Sequence, residues 1–173
     1  MNTKEEIKQA LIQLFEEVNS YLKQVENQKY KQRKNGKWSI AQNIEHLSIS
    51  NSITTLGLNT PKIVLKQVYK APKRKTWNYE EVVWKYQLKL NTGAKAPLPF
   101  QPRLSNFPTR KLINSTWKKS FESLIKTIDK WKEEDLDKFC MPHPILGVLS
   151  VREMLFFTLY HNRHHFKTIQ SLV

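Results

Sequence analysis

The chain has 173 residues, with 29 Lys and Arg against 15 Asp and Glu, a formal net charge of +14 and a single cysteine. A chain of this length can bury roughly 70% of its unfolded surface in one domain, so a disulfide framework or a structural metal is not needed to hold a core. The N-terminus, MNTKEEIKQA, carries charges where a signal peptide needs an apolar run, and the longest apolar stretch, MLFFTLY, is too short to span a bilayer. The expectation is one cytoplasmic domain over residues 1–173 with no membrane association.

Thr3 and Glu6 have the spacing of a capping box, and Ile7, Leu11, Leu14, Val18, Leu22 and Val25 follow at steps of three and four. This predicts a long amphipathic helix over 3–27. A lysine-rich connection, NQKYKQRKNGK, leads to Trp38, after which Ser39 and Gln42 form a second capping box opening a helix that runs to about Thr60, before Pro61. On that helix His46 shares its side with Gln42, Asn43, Ser50, Ile53 and Gly57, a mixed face whose small members leave space beside the imidazole.

KIVLKQVYK and NYEEVVWKYQLKL read as two helical pieces within 61–92, split by APKRK. Gly93 with Pro97, Pro99, Pro102 and Pro108 makes 93–108 irregular, a long loop of the kind more often packed over a site than idle. From Thr109 a further helix is predicted by Ile113, Trp117, Phe121, Leu124, Ile128 and Trp131, ending before KEEDLDK. His143, between Pro142 and Pro144, reads as part of a turn eased by Gly147, and lies close enough in sequence to the last helix to sit near a site mouth. Ser150 and Glu153 form a third capping box, opening a final helix to about Leu172. With no repeats and no alternating strand-like runs, the fold class is all-α: a four-helix bundle with an irregular, Pro-rich middle segment.

Charge is concentrated in that middle. Residues 61–119 carry 14 basic and 2 acidic residues, and over the whole chain Lys outnumbers Arg 23 to 6, which favours diffuse attraction to anions over bidentate recognition. Tyr69, Trp77, Tyr79, Trp84 and Tyr86 are interleaved with these lysines, the composition of a surface that stacks bases and neutralises phosphates. The plainer reading packs Trp84 and its neighbours on the bundle and leaves the lysines solvated; it is preferred because no nucleic-acid motif accompanies the charge.

The stretch YHNRHHFKTIQ, residues 160–170, holds three of the five histidines. At 100° per residue His161 and His165 fall about 40° apart, on the side of Met154, Phe157 and Ile169, so the pair faces the interior. His164 lies about 60° to the other side of His161, at the edge of that face. Burying an imidazole with an unpaired ring nitrogen costs on the order of 1–3 kcal/mol, so two side by side call for a common partner. A divalent metal reached by both, with a third ligand from a facing helix, is one answer; core histidines bonded to side chains and water are the other. Glu45 and Glu153 are candidates for a general base, although Glu153 has a capping role and Glu45 points about 100° away from His46. Cys140 reads as a buried structural thiol, and Trp38 and Trp131 as core anchors.

The segments GKWSIAQNIEHL and HPILGVLSVREMLFFTLYHNRHHFKTIQ together resemble the DinB/YfiT-like metal-binding proteins. The resemblance covers both ends of the chain, in order, and leaves the middle unmatched. It implies a four-helix bundle in which His46, His161 and His165 bind one divalent metal ion, commonly zinc or nickel, in a protein that often forms a homodimer. It also implies a metal-dependent hydrolase, or a transferase that adds a low-molecular-weight thiol to an electrophilic small-molecule substrate; the charge map, not the resemblance, makes the basic middle available to an anionic cosubstrate. One departure is Asn162, where the family often has an acidic residue that orients a ligand. The competing expectation is a non-catalytic binding protein whose basic segment 61–119 holds nucleic acid or an acidic partner.

Overall fold

The structure, a computed structural model, describes residues 3–34, 36–103 and 109–173. Along these the chain forms helices α1 (Lys4–Gln24), α2 (Asn27–Tyr30), α3 (Ile40–Leu58), α4 (Lys62–Val68), α5 (Tyr79–Asn91), α6 (Arg110–Asp129) and α7 (Val151–Gln170), with a hairpin of β1 (Cys140–His143) and β2 (Gly147–Ser150) before α7. The bundle is made by α1, α3, α6 and α7. Both α1 and α3 pack against α6 and α7, so α1 and α3 lie diagonally across the core, while α5 packs outside on α7 and α4 on the hairpin.

The helix starts follow local chemistry. Thr3 Oγ1 accepts from the Glu6 N–H at 3.2 Å, and Ser39 Oγ and Ser150 Oγ do the same for Gln42 and Glu153, also at 3.2 Å. In each case the residue at the third helical position accepts in return from the cap backbone. A fourth box, Asn78 with Glu81, opens α5. On α1 the apolar stripe Ile7, Leu11, Leu14, Val18 and Leu22 is buried. The central α3 is buried on most sides, and its small polar residues fit there because they bond to their own helix: the Ser48 and Thr55 hydroxyls each donate to the carbonyl four residues back at 2.7 Å. Trp131 is the expected core anchor, its Nε1–H donating to the Leu58 carbonyl at 3.1 Å.

Two expectations change. The turn expected at His143 and Gly147 is present, but the residues flanking it form a two-stranded antiparallel ladder where no strand was expected, with Cys140 opposite Ser150 and His143 opposite Gly147. Trp84 does not pack on the bundle but is 58% exposed, whereas Val82 and Tyr86 of the same helix are buried. The Pro-rich segment is irregular apart from a 3-10 turn at Leu98–Phe100; Pro108 lies outside the described residues. No helix among the described residues is long and apolar enough to cross a membrane.

His143 closes the hairpin loop. Its Nδ1 accepts from the N–H groups of Ile145 and Leu146 at 3.1 and 2.9 Å, and Gly147, at φ +80°, supplies the left-handed residue that returns the chain into β2. Burial pushes the His143 imidazole down to about 4 from an ordinary 6.5. Between those values the unfolded chain holds a proton that the folded chain does not, so stability falls as pH drops through this window. At about 1.4 kcal/mol per pH unit the loss is on the order of 3 kcal/mol. Urea unfolding of the metal-free protein should lose about 2 kcal/mol of this between pH 7 and pH 5. Buried His46, His161 and His165 add losses of the same sign, so His143→Asn, whose Oδ1 can accept the same two N–H groups, should reduce the dependence while keeping the turn. An unchanged pH dependence in that variant would refute the assignment.

Candidate metal site

Because α3 and α7 are neighbours in the bundle, His46 on α3 meets His161 and His165 on α7. One ring nitrogen from each lies within 4.8 Å of the others, and the ring centroids are 4.6 to 4.9 Å apart. This cluster can coordinate a divalent metal.

Two of the three rings have their tautomer set by fixed acceptors. His46 Nδ1 is 2.5 Å from the Phe100 carbonyl, which can only accept, so Nδ1 carries the hydrogen and Nε2 keeps its lone pair. Asn43 donates through Nδ2 to the Trp38 and Ser39 carbonyls at 3.2 and 2.9 Å, which orients its amide oxygen toward His165 Nδ1 at 2.7 Å. His165 Nε2 is therefore also a free lone pair. His161 Nε2 faces His46 Nε2 at 3.0 Å. Two neutral nitrogens at this distance need a hydrogen or a cation between them. Nitrogens each about 2.0–2.1 Å from a tetrahedral ion lie roughly 3.3 Å apart, a spacing that the His46–His161 pair already approaches.

The electrostatics keep the rings neutral. Burial holds His161 well below the ordinary histidine value, with the neighbouring imidazoles adding to the effect, and His165 follows for the same reasons. His46 is lowered by burial, partly offset by the Phe100 carbonyl. All three are neutral at pH 7, as metal ligation requires.

The cluster borders a cavity of about 370 Å³ that all five histidines of the chain line. Trp38, Tyr86, Phe100 and Phe157 supply aromatic walls, and no Lys, Arg, Asp or Glu among the described residues lines it. Burial pushes the Tyr86 phenol up to about 12, so it remains a hydroxyl donor at neutral pH. Trp38 is a wall rather than a core anchor, with its ring 5.0 Å from that of His46 and 6.1 Å from that of His165.

The remaining candidates divide. His143 and His164 line the cavity outside the three-histidine cluster. Neither carboxylate considered as a base reaches the cavity: Glu153 is bonded to Arg74, and Glu45 accepts from the Arg103 N–H. Cys140 is buried, as expected, and burial raises its thiol pKa. Asn162 donates to Asn51 Oδ1 and the Thr158 carbonyl, so it does not take the ligand-orienting part of the acidic residue it replaces. Asn43 and the Phe100 carbonyl instead orient two of the three imidazoles. Asn43 could be found from its position on the His46 side of α3, whereas a backbone carbonyl 54 residues away leaves no sequence signal.

A family model of the DinB superfamily matches residues 10–169. Among solved structures the chain is similar to TT2238, a four-helix bundle protein, at TM-score 0.63 and 16% identity over 98% of this chain and 99% of that one. It is also similar to YfiT from Bacillus subtilis, described as a probable metal-dependent hydrolase with an unusual four-helix bundle topology, at TM-score 0.62 and 15% identity over 98% and 85% of the two chains. A third is the colibactin self-resistance protein ClbS in complex with double-stranded DNA, at TM-score 0.58 and 14% identity over 99% and 96%. At these identities the likeness is one of fold. No curated protein sequence matches the chain.

Proposed function

The chain belongs to the DinB superfamily, and from that premise we propose that it is a metal-dependent enzyme acting on a small molecule, by hydrolysis or by transfer of a low-molecular-weight thiol to an electrophile. His46, His161 and His165 are the ligands in this reading. The observation that carries it is the pair of Nε2 lone pairs, set by Phe100 and Asn43, directed with His161 Nε2 into one small region beside an apolar cavity.

A divalent cation held by three imidazoles supplies Lewis acidity at an open coordination position, which lowers the pKa of a water or thiol there. The chain's residues do the rest. The aromatic walls exclude bulk water and take an apolar substrate body, strengthening electrostatic interactions at the cavity floor. The Tyr86 hydroxyl, in the cavity wall with its ring 6.2 Å from that of His161, is a donor for a polar substrate group. The basic segment 61–119 contributes no wall residue with a charge, so its attraction to an anionic cosubstrate acts at a distance.

Elemental analysis of protein purified without an affinity tag should find about one divalent ion per chain. A panel of activated esters and thiol–electrophile pairs should then show turnover that a chelator removes and added metal restores. Absence of metal even after reconstitution would reject the proposal. A second reading, in which segment 61–119 holds nucleic acid, is favoured by exposed Trp84 with Lys85 Nζ 5.3 Å from its ring centroid; it requires binding that survives chelation and weakens steeply with salt.

A further inference from the structure

We propose that residues Ala96–Arg103 form a strap that closes the cavity and sets the ligand form of His46 in the same movement, with Glu45 as the positioning residue that docks it. This rests on the metal site proposed above.

Two consecutive residues of α3 hold the segment. His46 Nδ1 donates to the Phe100 carbonyl at 2.5 Å, and Glu45 Oε1 accepts from the Arg103 N–H at 3.2 Å. Residues 45 and 46 project about 100° apart, so one bond lies on the cavity side of the strap and the other on its outer side. Ala96, Pro97 and Phe100 line the main cavity, whereas Pro99, Gln101 and Arg103 line a separate surface groove together with Glu45.

The strap is internally organised. Phe100 N–H donates to the Pro97 carbonyl at 2.9 Å, Gln101 N–H to the Leu98 carbonyl at 3.1 Å, and Gln101 Nε2 to the Ala96 carbonyl at 2.9 Å. Three prolines fix φ at positions 97, 99 and 102. It is therefore built to shift as a unit. Its outer surface is open at Leu98, 83% exposed, while Pro102 is buried and the 3-10 turn packs on α3. A segment outside the hydrogen-bond ladders of the long helices, with an exposed outer face, opens at lower free-energy cost than the bundle.

Undocking has two consequences at once. The cavity loses Phe100, Pro97 and Ala96 from its wall, and His46 loses the acceptor that keeps its hydrogen on Nδ1. Partners that orient a metal-bound histidine in this way are typically worth about 10–100-fold in metal affinity. By linkage, metal bound through His46 favours the docked strap as much as the docked strap favours metal. Access to the cavity and competence of the site are thus two readings of one equilibrium, and Glu45, which touches neither cavity nor imidazole, biases it.

The test uses the full chain with zinc, Glu45→Ala and Glu45→Gln, and His46→Ala kept metal-free. Zinc affinity is measured by competition with a chromophoric chelator, and strap opening by amide hydrogen exchange over 96–103. Glu45→Ala should weaken zinc about 10-fold with an unchanged thermal midpoint in the metal-free state. Glu45→Gln, whose amide oxygen still accepts from Arg103, should bind within about twofold of the parent. Zinc should slow exchange over the strap in the parent protein. Equal zinc affinity in Glu45→Ala and the parent, with strap exchange indifferent to zinc, would overturn the proposal. If the parent binds no zinc, the metal reading has failed on its own. Exchange in metal-free His46→Ala then decides the strap: faster exchange over 96–103 than in the parent supports its dependence on His46, and equal exchange removes it.

Discussion

Replacing His161 with Ala is expected to lower divalent-metal affinity by more than about 100-fold, beyond the range for losing a residue that only orients a ligand. His161 forms one corner of a nearly equilateral triangle of rings, its Nε2 3.0 Å from that of His46 and its centroid 4.7 Å from that of His165. Without it the remaining nitrogens belong to different helices, and no other histidine, cysteine or carboxylate among the described residues completes a cluster. A thermal readout separates this from misfolding. In the parent protein, zinc at 100 times its Kd should add about 2.7 kcal/mol, roughly 5 to 10 °C for a chain of this size. In His161→Ala the metal-free melt should remain cooperative and the zinc-induced shift should vanish. His143→Asn, which leaves the cluster intact, should keep it. A zinc shift surviving in His161→Ala would show that the ion binds elsewhere.

Replacing Glu153 with Ala is expected to give the largest loss of stability. The carboxylate is 1% exposed and sits among four donors: Arg74 Nη1 and Nη2 at 2.5 and 3.2 Å, the Trp77 N–H at 2.7 Å and the Ser150 N–H at 2.8 Å. Arg74 also stacks on the Trp77 ring at 3.3 Å. One side chain therefore caps α7 and ties the connection between α4 and α5 to it, which helps hold α5, carrying Tyr86, against the cavity. Arg74 keeps 25% of its side chain exposed, so water offsets part of the loss of its partner and the cost is roughly 2–4 kcal/mol, at or below that of breaking a fully buried pair. That corresponds to a drop of about 4 to 16 °C for a chain of this size. Glu153→Gln, which keeps an acceptor but not the charge, should lose less. Urea and thermal melts measure both; a loss below about 1 kcal/mol in Glu153→Ala would show that the clamp does not matter to the fold.

These two residues mark where local sequence information stops. The capping role of Glu153 is legible from its distance to Ser150, because both bonds close within three residues. Its pairing with Arg74 spans 79 residues and depends on how α5 lies on α7. In the same way the period of α7 places His161 and His165 on the inner face, and the resemblance of the terminal segments implies His46 as their companion. What holds these imidazoles is not legible: the Phe100 carbonyl belongs to the backbone, and any residue at that position would offer the same atom.

The four long helices were determined by sequence alone, since intrahelical bonds, caps and apolar stripes are all short-range. The tertiary structure decided the hairpin, whose two four-residue strands carry a proline and too little alternation to announce themselves. It also decided that Trp84 faces solvent while Tyr86, two residues on, faces the cavity. Helical period gives relative direction around an axis, but which direction is inside depends on the neighbour that the chain brings alongside. For the five histidines that neighbour is the opposing helix, the hairpin and the strap, and only their packing gathers all five around one cavity.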